Sequence, residues 1–426
     1  MNNYLNKINN YLLFDLVVLF FLIIYRLFSD IDSYIFGQVL ILIGIISIIN
    51  LMIRNKNSDI IVIFLFFSLT YLLYMLAFYF LDIPYHYLLE YQQINYTNNV
   101  LFIQIIFIRL MFIGIKPKQI KIFSKMFEKR NNNIIYILIL SLLLVMIPIS
   151  LITSPPNLSA NYTGEITSSI WLEYCIIFII IGSVYSNTKF KNYLLVAISS
   201  SYLLLPLLYG RRLQFIMVAL TLFILYFAGK WKVKYILFFA IFAFIVLRVF
   251  ASIRMGVDMS VLNSILSVDE KGVMGNNQGG VFVCSVTYWG LIEEGLFDLL
   301  FRLKSFIGLF TGIFLPASFN LEEAYINFSA LKYAPIPGNG GFPSIYLFIW
   351  GGYIGLTIGS LIFNYLLKNP NNSRLIFIYM IFVFATFPRW HSYNMFILLK
   401  MGFWLMFFLA LADTFHKYSR GQRSNK

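Results

Sequence analysis

The chain has 426 residues, of which 60% are hydrophobic, 19% are aromatic and only 12% are charged, and its mean hydropathy is +0.80. This small number of charged groups cannot cover the surface of a soluble protein. The composition therefore excludes a soluble domain and predicts an integral membrane protein. The net charge of +14 resides mostly in loop lysines, which favours contact with membrane lipid headgroups and argues against a nucleic-acid partner.

Apolar runs of about 20 residues, each able to cross a hydrocarbon core of about 30 Å, recur along the whole chain. The first run follows a polar start without a small-residue cleavage site, so we interpret it as a retained span. The sequence predicts an all-α membrane protein with about 12 transmembrane helices in a single polytopic domain, 1–426. The predicted spans are 11–28, 34–53, 60–81, 98–115, 134–152, 168–186, 193–209, 212–228, 235–251, 342–366, 375–388 and 394–412.

Lysines and arginines are retained on the cytoplasmic side of a membrane, and in this chain every second loop is basic. This alternation places both termini in the cytoplasm and one long segment, 252–341, on the outer side. Within that segment, the stripe of apolar residues over 292–303 predicts a helix lying in the membrane interface. The apolar stretch 306–316 predicts a re-entrant segment, and Asp298 is predicted to pair with Arg302 four residues later.

Arginine and lysine are distributed differently between the two predicted sides. Inner loops contain 15 lysines and 5 arginines, whereas outer segments contain 7 arginines and 3 lysines. Membrane topology requires only positive charge, but bidentate binding of a phosphate or carboxylate requires the planar guanidinium. The pattern therefore predicts that outer arginines bind an anion, and a lipid-linked one such as a polyprenyl diphosphate suits a membrane-embedded cavity.

The candidate binding site gathers polar residues that end spans on the predicted outer side. Two arginines open the eighth span, and two more close the ninth, where a separation of six residues turns them about 240° apart on a regular helix. Glycines before the tenth span allow backbone amides to approach a ligand closely. The candidate substrate-binding residues are Arg211, Arg212, Arg248, Arg254, Asn339 and Arg389.

The order of these features resembles the Wzy-type O-antigen and oligosaccharide repeat-unit polymerases. The matching features are Gly210-Arg211-Arg212 at a span start, the arginine-bearing segment from Arg248 to Gly256, the long outer loop, and Gly340-Gly341-Phe342 followed by Trp350-Gly351-Gly352-Tyr353-Ile354-Gly355. The resemblance implies a glycosyltransferase on the outer face of the bacterial inner membrane. It implies undecaprenyl-diphosphate-linked oligosaccharides as substrates and a separate chain-length regulator as a possible partner.

The implied reaction requires stabilisation of a departing diphosphate, for which we predict a clamp of Arg211, Arg212, Arg254 and Arg389. This scheme requires no cofactor, and the scattered cysteines and histidines predict no metal site. For the general base, His391 is the first candidate because an unperturbed histidine titrates near neutral pH. Asp258 is the second catalytic candidate, and Glu322 and Glu323 are further alternatives.

Other interpretations remain open at this level. Arg211 and Arg212 can extend to lipid headgroups without binding substrate, and the glycines can form a packing turn. An O-antigen ligase is an alternative function, but the histidine-asparagine pair of the related ligases is replaced here by Gly338-Asn339-Gly340. A lipid-linked oligosaccharide flippase is another, although such transporters favour paired repeats and charges deep within spans.

Overall fold

The computed structural model describes residues 10–85, 93–115, 129–153, 171–208, 212–254, 277–315, 319–334, 336, 340–370 and 372–424, without the side chains of 207, 208, 212, 244, 246–254, 277 and 420–424. All regular secondary structure in these residues is helical. The α-helices are α1 Asn10–Phe28, α2 Tyr34–Arg54, α3 Asp59–Leu81, α4 Ile94–Met111, α5 Asn133–Thr153, α6 Trp171–Tyr185, α7 Lys189–Leu208, α8 Arg212–Tyr226, α9 Val233–Arg254, α10 Asn277–Glu293, α11 Leu299–Phe314, α12 Ile326–Ala330, α13 Pro343–Lys368, α14 Arg374–Ala385, α15 Phe387–Trp390 and α16 Phe396–Ser424. A short 3₁₀ helix covers Glu322–Ala324.

By length and composition alone, six helices in the described part of the chain could cross a membrane: α1, α2, α3, α5, α16 and α13, the last counted over its whole range although its backbone breaks at Gly351 and Gly352. Shorter apolar helices cover Trp171–Tyr185, Leu213–Tyr226, Val233–Ala243 and Arg374–Ala385. Each predicted span overlaps at least one observed helix, so the all-α fold class is confirmed for the described residues, and the apolar helices are compatible with a membrane protein. The count of 12 spans and the sidedness stay predictions.

Helix α4 occupies the centre of the fold, and nearly all its residues from Thr97 to Met111 are buried. Its polar side chains have partners inside the protein. The Asn98 amide donates to the carbonyl of Ile31 at 2.6 Å, and Gln104 Oε1 accepts from Ser344 Oγ at 2.6 Å. Since apolar surroundings offer no water to replace such bonds, these contacts fix how α4 packs against its neighbours.

The loops that the lysine pattern assigned to the cytoplasm lie together on one surface, which we call the basic face. Asp413 joins two of them, because its carboxylate accepts from Arg130 at 2.5 Å and from Arg374 at 2.7 Å. Further contacts link Lys129 to Asn192. The basic face comprises 54–59, 112–115, 129–133, 186–192, 227–232, 368–370, 372–374 and 413–419.

A second carboxylate, Asp15, is fully buried beside the basic face. Both its oxygens lie within 3.0 Å of Arg54 Nη1, and Arg109 Nη1 lies 3.1 Å away. The cluster thereby ties α1 to α2 and α4 through charge-assisted hydrogen bonds. Arg54, Arg130 and Arg374, all predicted for the inner side, each bind a carboxylate. Carboxylate binding by arginine is therefore not confined to the predicted outer side.

Helix α13 is a hairpin of two helical halves, 343–350 and 353–368. The backbone leaves helical geometry at Gly351 and at Gly352, whose φ is +58°. Across this break, a Leu347 side-chain atom lies 2.5 Å from the position that a Cβ on Gly359 would take. In a straight helix these two residues would be about 18 Å apart. The single predicted span 342–366 is therefore wrong in detail, because the chain reverses at the two glycines.

Contacts with α4 support the same reversal. Ser344 bonds to Gln104, and the ring of Phe363 lies 6.0 Å from the ring of Phe107. Residues 344 and 363 thus face neighbouring turns of α4, although a straight helix would separate them by about 28 Å. The re-entrant element of this protein is the half-helix 343–350, whereas the predicted re-entrant stretch 306–316 falls largely within the continuous helix α11.

Arg302 of α11 stabilises the end of that half-helix. Its Nε donates to the carbonyl of Ile349 at 2.5 Å and its Nη2 to the carbonyl of Phe348 at 3.1 Å. The helix break leaves these carbonyls without intrahelical partners. The predicted pairing of Asp298 with Arg302 is wrong, because Asp298 instead caps the start of α11 by accepting from the backbone N–H of Phe301.

The segment predicted as an outer loop contains a long buried helix, α10. Residues 278–291 of α10 are buried, including Cys284, which the sequence placed in a loop. The predicted interfacial stripe over 292–303 is also interrupted, since α10 ends at Glu293 and α11 begins at Leu299. Helix α11 does expose Leu299, Leu300 and Leu303, so its own apolar stripe faces outward.

Candidate functional site

Three side chains from three helices meet at the end of the molecule away from the basic face. Arg389 Nη2 in α15 lies 3.5 Å from Glu173 Oε1 in α6, and Gln214 Nε2 in α8 donates to the same oxygen at 2.9 Å. Tyr185, at the other end of α6, donates to Asp413 on the basic face. The separation of twelve positions between Glu173 and Tyr185 places the triad about 18 Å from that face.

The exposure of the triad indicates how it is used. The Arg389 side chain is 32% exposed, whereas that of Glu173 is 11% exposed. Arg389 also lies over the ring of Tyr393, with 5.6 Å between its Cζ and the ring centroid. The guanidinium therefore borders open space while the carboxylate lies beneath it, an arrangement that orients an arginine towards a ligand.

The glycine-rich segment meets the loop that contains Arg389. A Cβ on Gly340 would lie 1.3 Å from the carbonyl oxygen of Tyr393, so the two backbones are in direct contact. Tyr346 Oη donates to the same carbonyl at 2.9 Å. The amide of Phe342 donates to Ser285 Oγ at 3.0 Å. At Gly340 and Phe342 the segment thus serves close packing, and the Phe342 amide does not face a ligand.

Neighbouring His391 is buried in a polar pocket rather than at an interface. Its Nε2 lies 3.1 Å from Ser68 Oγ and 3.4 Å from Gln104 Nε2. The rings of Phe64 and Phe67 pack against the imidazole. Burial lowers the pKa of His391 below its ordinary value of 6.5. The premise that His391 is an unperturbed histidine is therefore wrong, although a role as proton acceptor stays a prediction.

The burial of His391 predicts a pH-dependent stability. Because the folded pKa is lowered, the unfolded chain binds a proton first as the pH falls below about 6.5, and folding weakens by up to about 1.4 kcal/mol per pH unit. Thermal unfolding of the purified protein between pH 7.5 and pH 5 measures this loss. The variant His391→Gln should show a shallower dependence, and an unchanged slope would contradict the assignment.

The remaining site predictions fall partly outside the described residues. Arg211, Asn339 and Asp258 lie entirely outside them. Arg212 is the first residue of α8, and its side chain is not described. Arg248 and Arg254 both belong to the continuous helix α9, which confirms the regular geometry behind their predicted 240° separation, but their side chains also lie outside the description. Of the predicted clamp, Arg389 is the member whose contacts are described.

The two glutamates proposed as alternative bases are paired with lysines. Glu323 Oε1 lies 3.2 Å from Lys304 Nζ, and Glu322 binds Lys332. Its own backbone N–H and the neighbouring Lys304 lower the pKa of Glu323, which makes it a weaker base. Within the described residues, no group of three or more His, Cys, Asp or Glu side chains is placed to hold a metal ion.

Large aromatic residues of the predicted outer segments belong mostly to the protein core. Trp390 is 1% exposed and lies between the rings of Phe64 and Phe363, and Trp289 stacks on Phe348 at 4.5 Å. Tyr333, in contrast, is 49% exposed and remains available for contact with a ligand. The core positions are explained by packing alone.

Sequence reasoning did not assign Glu173 and Gln214 to the site. Glu173 lies within the predicted apolar span 168–186, and this position is itself a signal, since ionisable residues in such segments pair with one another or mark a function. Comparison with protein families, curated proteins and solved structures finds no match. In the described residues, the fold and site therefore define only a class: a helical protein with helices long and apolar enough to span a membrane and an arginine-containing polar site.

Proposed function

We propose that this protein is a membrane glycosyltransferase that polymerises undecaprenyl-diphosphate-linked oligosaccharide repeat units into a surface polysaccharide. One observation carries the proposal: the start of α8, the segment at Gly340 and the loop containing Arg389 meet at one place. Two of these three, the arginine-opened span and the segment at Gly340, are among the features whose order resembles the Wzy-type polymerases. We place the basic face in the cytoplasm of a bacterium and the site at the outer face of the inner membrane.

In the proposed reaction, a sugar hydroxyl of a new lipid-linked repeat unit attacks the anomeric carbon of the growing chain. The new glycosidic C–O bond forms as the bond to diphosphate breaks, and undecaprenyl diphosphate departs with the bonding electron pair. The hydroxyl proton passes to a base. Arginines fixed in place before the reaction stabilise the charge that develops on the bridging oxygen.

The triad supports this role for Arg389. Gln214 donates to Glu173, and Glu173 holds the Arg389 guanidinium in position, so that little reorientation is needed when charge develops on the leaving group. Because Glu173 neutralises part of its charge, we assign the remaining positive charge to Arg211, Arg212 and Arg254. For the base, His391 and Asp258 remain the candidates, and Glu173 is added as the carboxylate closest to Arg389 in the described residues.

The charges beside the basic face favour a polymerase over a flippase. Asp15 and Arg109 bind each other in a fully enclosed cluster that also includes Arg54. Charges that line a transport pathway must contact the substrate, whereas the contacts of these residues are to protein groups. An O-antigen ligase remains the second candidate, since it shares the arginine-opened span.

Deletion of the gene separates the three functions. Loss of a polymerase should leave a single repeat unit on the acceptor, as seen by electrophoresis of extracted glycolipids. Full-length lipid-linked polymer that is never transferred would instead identify a ligase. Lipid-linked units trapped on the cytoplasmic side would identify a flippase. Restoration by the wild-type chain is the control, and polymer of normal length in the deletion strain would refute all three proposals.

A further inference from the structure

A cavity of about 360 Å³ opens on the basic face, far from the arginine site. It lies between the loop that joins α2 to α3 and the loop that joins α8 to α9. Lys56 and Asn57 line it from the first loop, Trp231 and Lys232 from the second. This volume falls in the range of small-molecule binding sites, which is about 300–1,000 Å³.

The acidic residue in this cavity, Asp59, forms no ion pair with its lysines. Asp59 Oδ2 accepts from the backbone N–H of Gly229 at 2.6 Å, and Oδ1 accepts from the backbone N–H of Ile60 at 3.0 Å. Its carboxylate therefore holds the two loops together. Among the described residues, neither Lys56 nor Lys232 has an ion-pair partner. The cavity consequently presents two lysines without ion-pair partners, and one carboxylate whose oxygens accept from backbone amides.

Neighbouring lysines add to the positive charge. Burial, and in addition the positive charge of Lys230, lower the pKa of Lys129. Lys129 donates to Asn192, a neutral group that leaves its charge uncompensated. Cations that repel one another on a shared surface favour an anionic ligand there.

An apolar surface adjoins the cationic cavity. Trp231 packs against Phe227 and Phe239, with ring centroids 6.4 Å and 5.3 Å apart. On α9, Phe238 and Phe242 are more than half exposed, so the apolar surface continues beyond the cavity wall. A free phosphate compound needs no such surface, whereas a lipid has acyl chains to place on it.

We propose that this cavity binds the headgroup of an anionic phospholipid from the adjacent leaflet. Lys56 and Lys232 bind the phosphate, and the aromatic surface of Trp231 and Phe239 contacts an acyl chain. Basic pockets between membrane helices bind such headgroups because the local charge attracts them and the tail remains in the bilayer. This site is independent of the proposed polymerase activity.

Native mass spectrometry of the full-length protein, titrated with phosphatidylglycerol or phosphatidylcholine, tests the proposal. We expect the wild type to bind phosphatidylglycerol preferentially. The double variant Lys56→Gln/Lys232→Gln should bind it about 30-fold more weakly, on the basis of two headgroup contacts. Lys189→Gln/Lys417→Gln removes two exposed lysines outside the cavity and should bind as the wild type does.

A second variant distinguishes a lipid from a soluble phosphate. Trp231→Ala should weaken binding of phosphatidylglycerol and leave binding of glycerol 3-phosphate unchanged. Equal lipid affinity in the two double-lysine variants would overturn the proposal. Binding of glycerol 3-phosphate as tightly as the lipid would overturn the lipid assignment, since it would show that the acyl chain contributes nothing.

Discussion

Gly340→Ala should prevent stable folding and abolish activity. The new Cβ would lie 1.3 Å from the Tyr393 carbonyl oxygen and 2.1 Å from its carbonyl carbon, so two backbones would have to separate. A backbone cannot move aside as a flexible side chain does, and we expect a loss of at least about 3 kcal/mol. The amount of monodisperse protein after detergent extraction, and its thermal midpoint, measure this effect.

Gly351→Ala is the matched control, because a Cβ there has no neighbour within 4 Å and its φ of −153° lies outside the left-handed region. This variant should fold and retain most polymer formation. Normal yield and stability of Gly340→Ala would mean that the segment at Gly340 does not contact the Arg389 loop as described. The proposed function would then lose its main support, which is the meeting of the start of α8, the segment at Gly340 and the loop containing Arg389.

Hydropathy predicted the helices well, because an apolar run must satisfy its backbone internally whatever its neighbours are. It could not predict the hairpin in α13. Both halves are apolar, so 343–350 and 353–368 form one continuous hydrophobic stretch. The sequence shows the Gly351-Gly352 pair, but the chain reversal at these glycines depends on the packing of Leu347 against Gly359. That packing is a tertiary contact, which no local sequence pattern contains.

Charge pairing was predicted less well for a related reason. Asp298 and Arg302 have the i, i+4 spacing of an ion pair, yet each binds a different partner. Asp298 caps the start of α11, and Arg302 donates to a backbone carbonyl at the helix break in α13. The sequence predicts a loop where helix α10 lies, because Gln278, Ser285 and Thr287 lower the hydropathy of this segment. These residues are buried inside the protein, so a polar residue did not indicate an exposed one.

The candidate site was predicted in part. Arg389 was selected from sequence, and the structure places it beside α8, whose first turn contains Arg212. Its partner Glu173 lies 216 positions earlier in the chain (389 − 173), so no spacing rule connects them. The packing of both α6 and α15 against α8 brings the carboxylate under the guanidinium, and sequence alone does not specify that packing.

Arg389→Lys should lower the rate of polymer formation by on the order of 100-fold, because lysine keeps the charge but loses the planar donor pair that a diphosphate binds. The rate is measured in membranes supplied with lipid-linked repeat units. Arg26→Lys is the control: this arginine, also predicted on the outer side, donates to Asn99 at 3.0 Å and lies outside the triad. Near-normal polymerisation by Arg389→Lys would tell against bidentate binding of the diphosphate.

The same assay separates positioning by Glu173 from proton transfer. If Glu173 only orients Arg389, Glu173→Gln should slow the wild type by about 10-fold but add little to Arg389→Lys, since interacting residues are not additive. If Glu173 accepts the hydroxyl proton, the loss should be larger and should persist in the Arg389→Lys background. A third result, wild-type rates for Glu173→Gln alone, would remove Glu173 from both roles and leave Arg389 to be positioned by Tyr393.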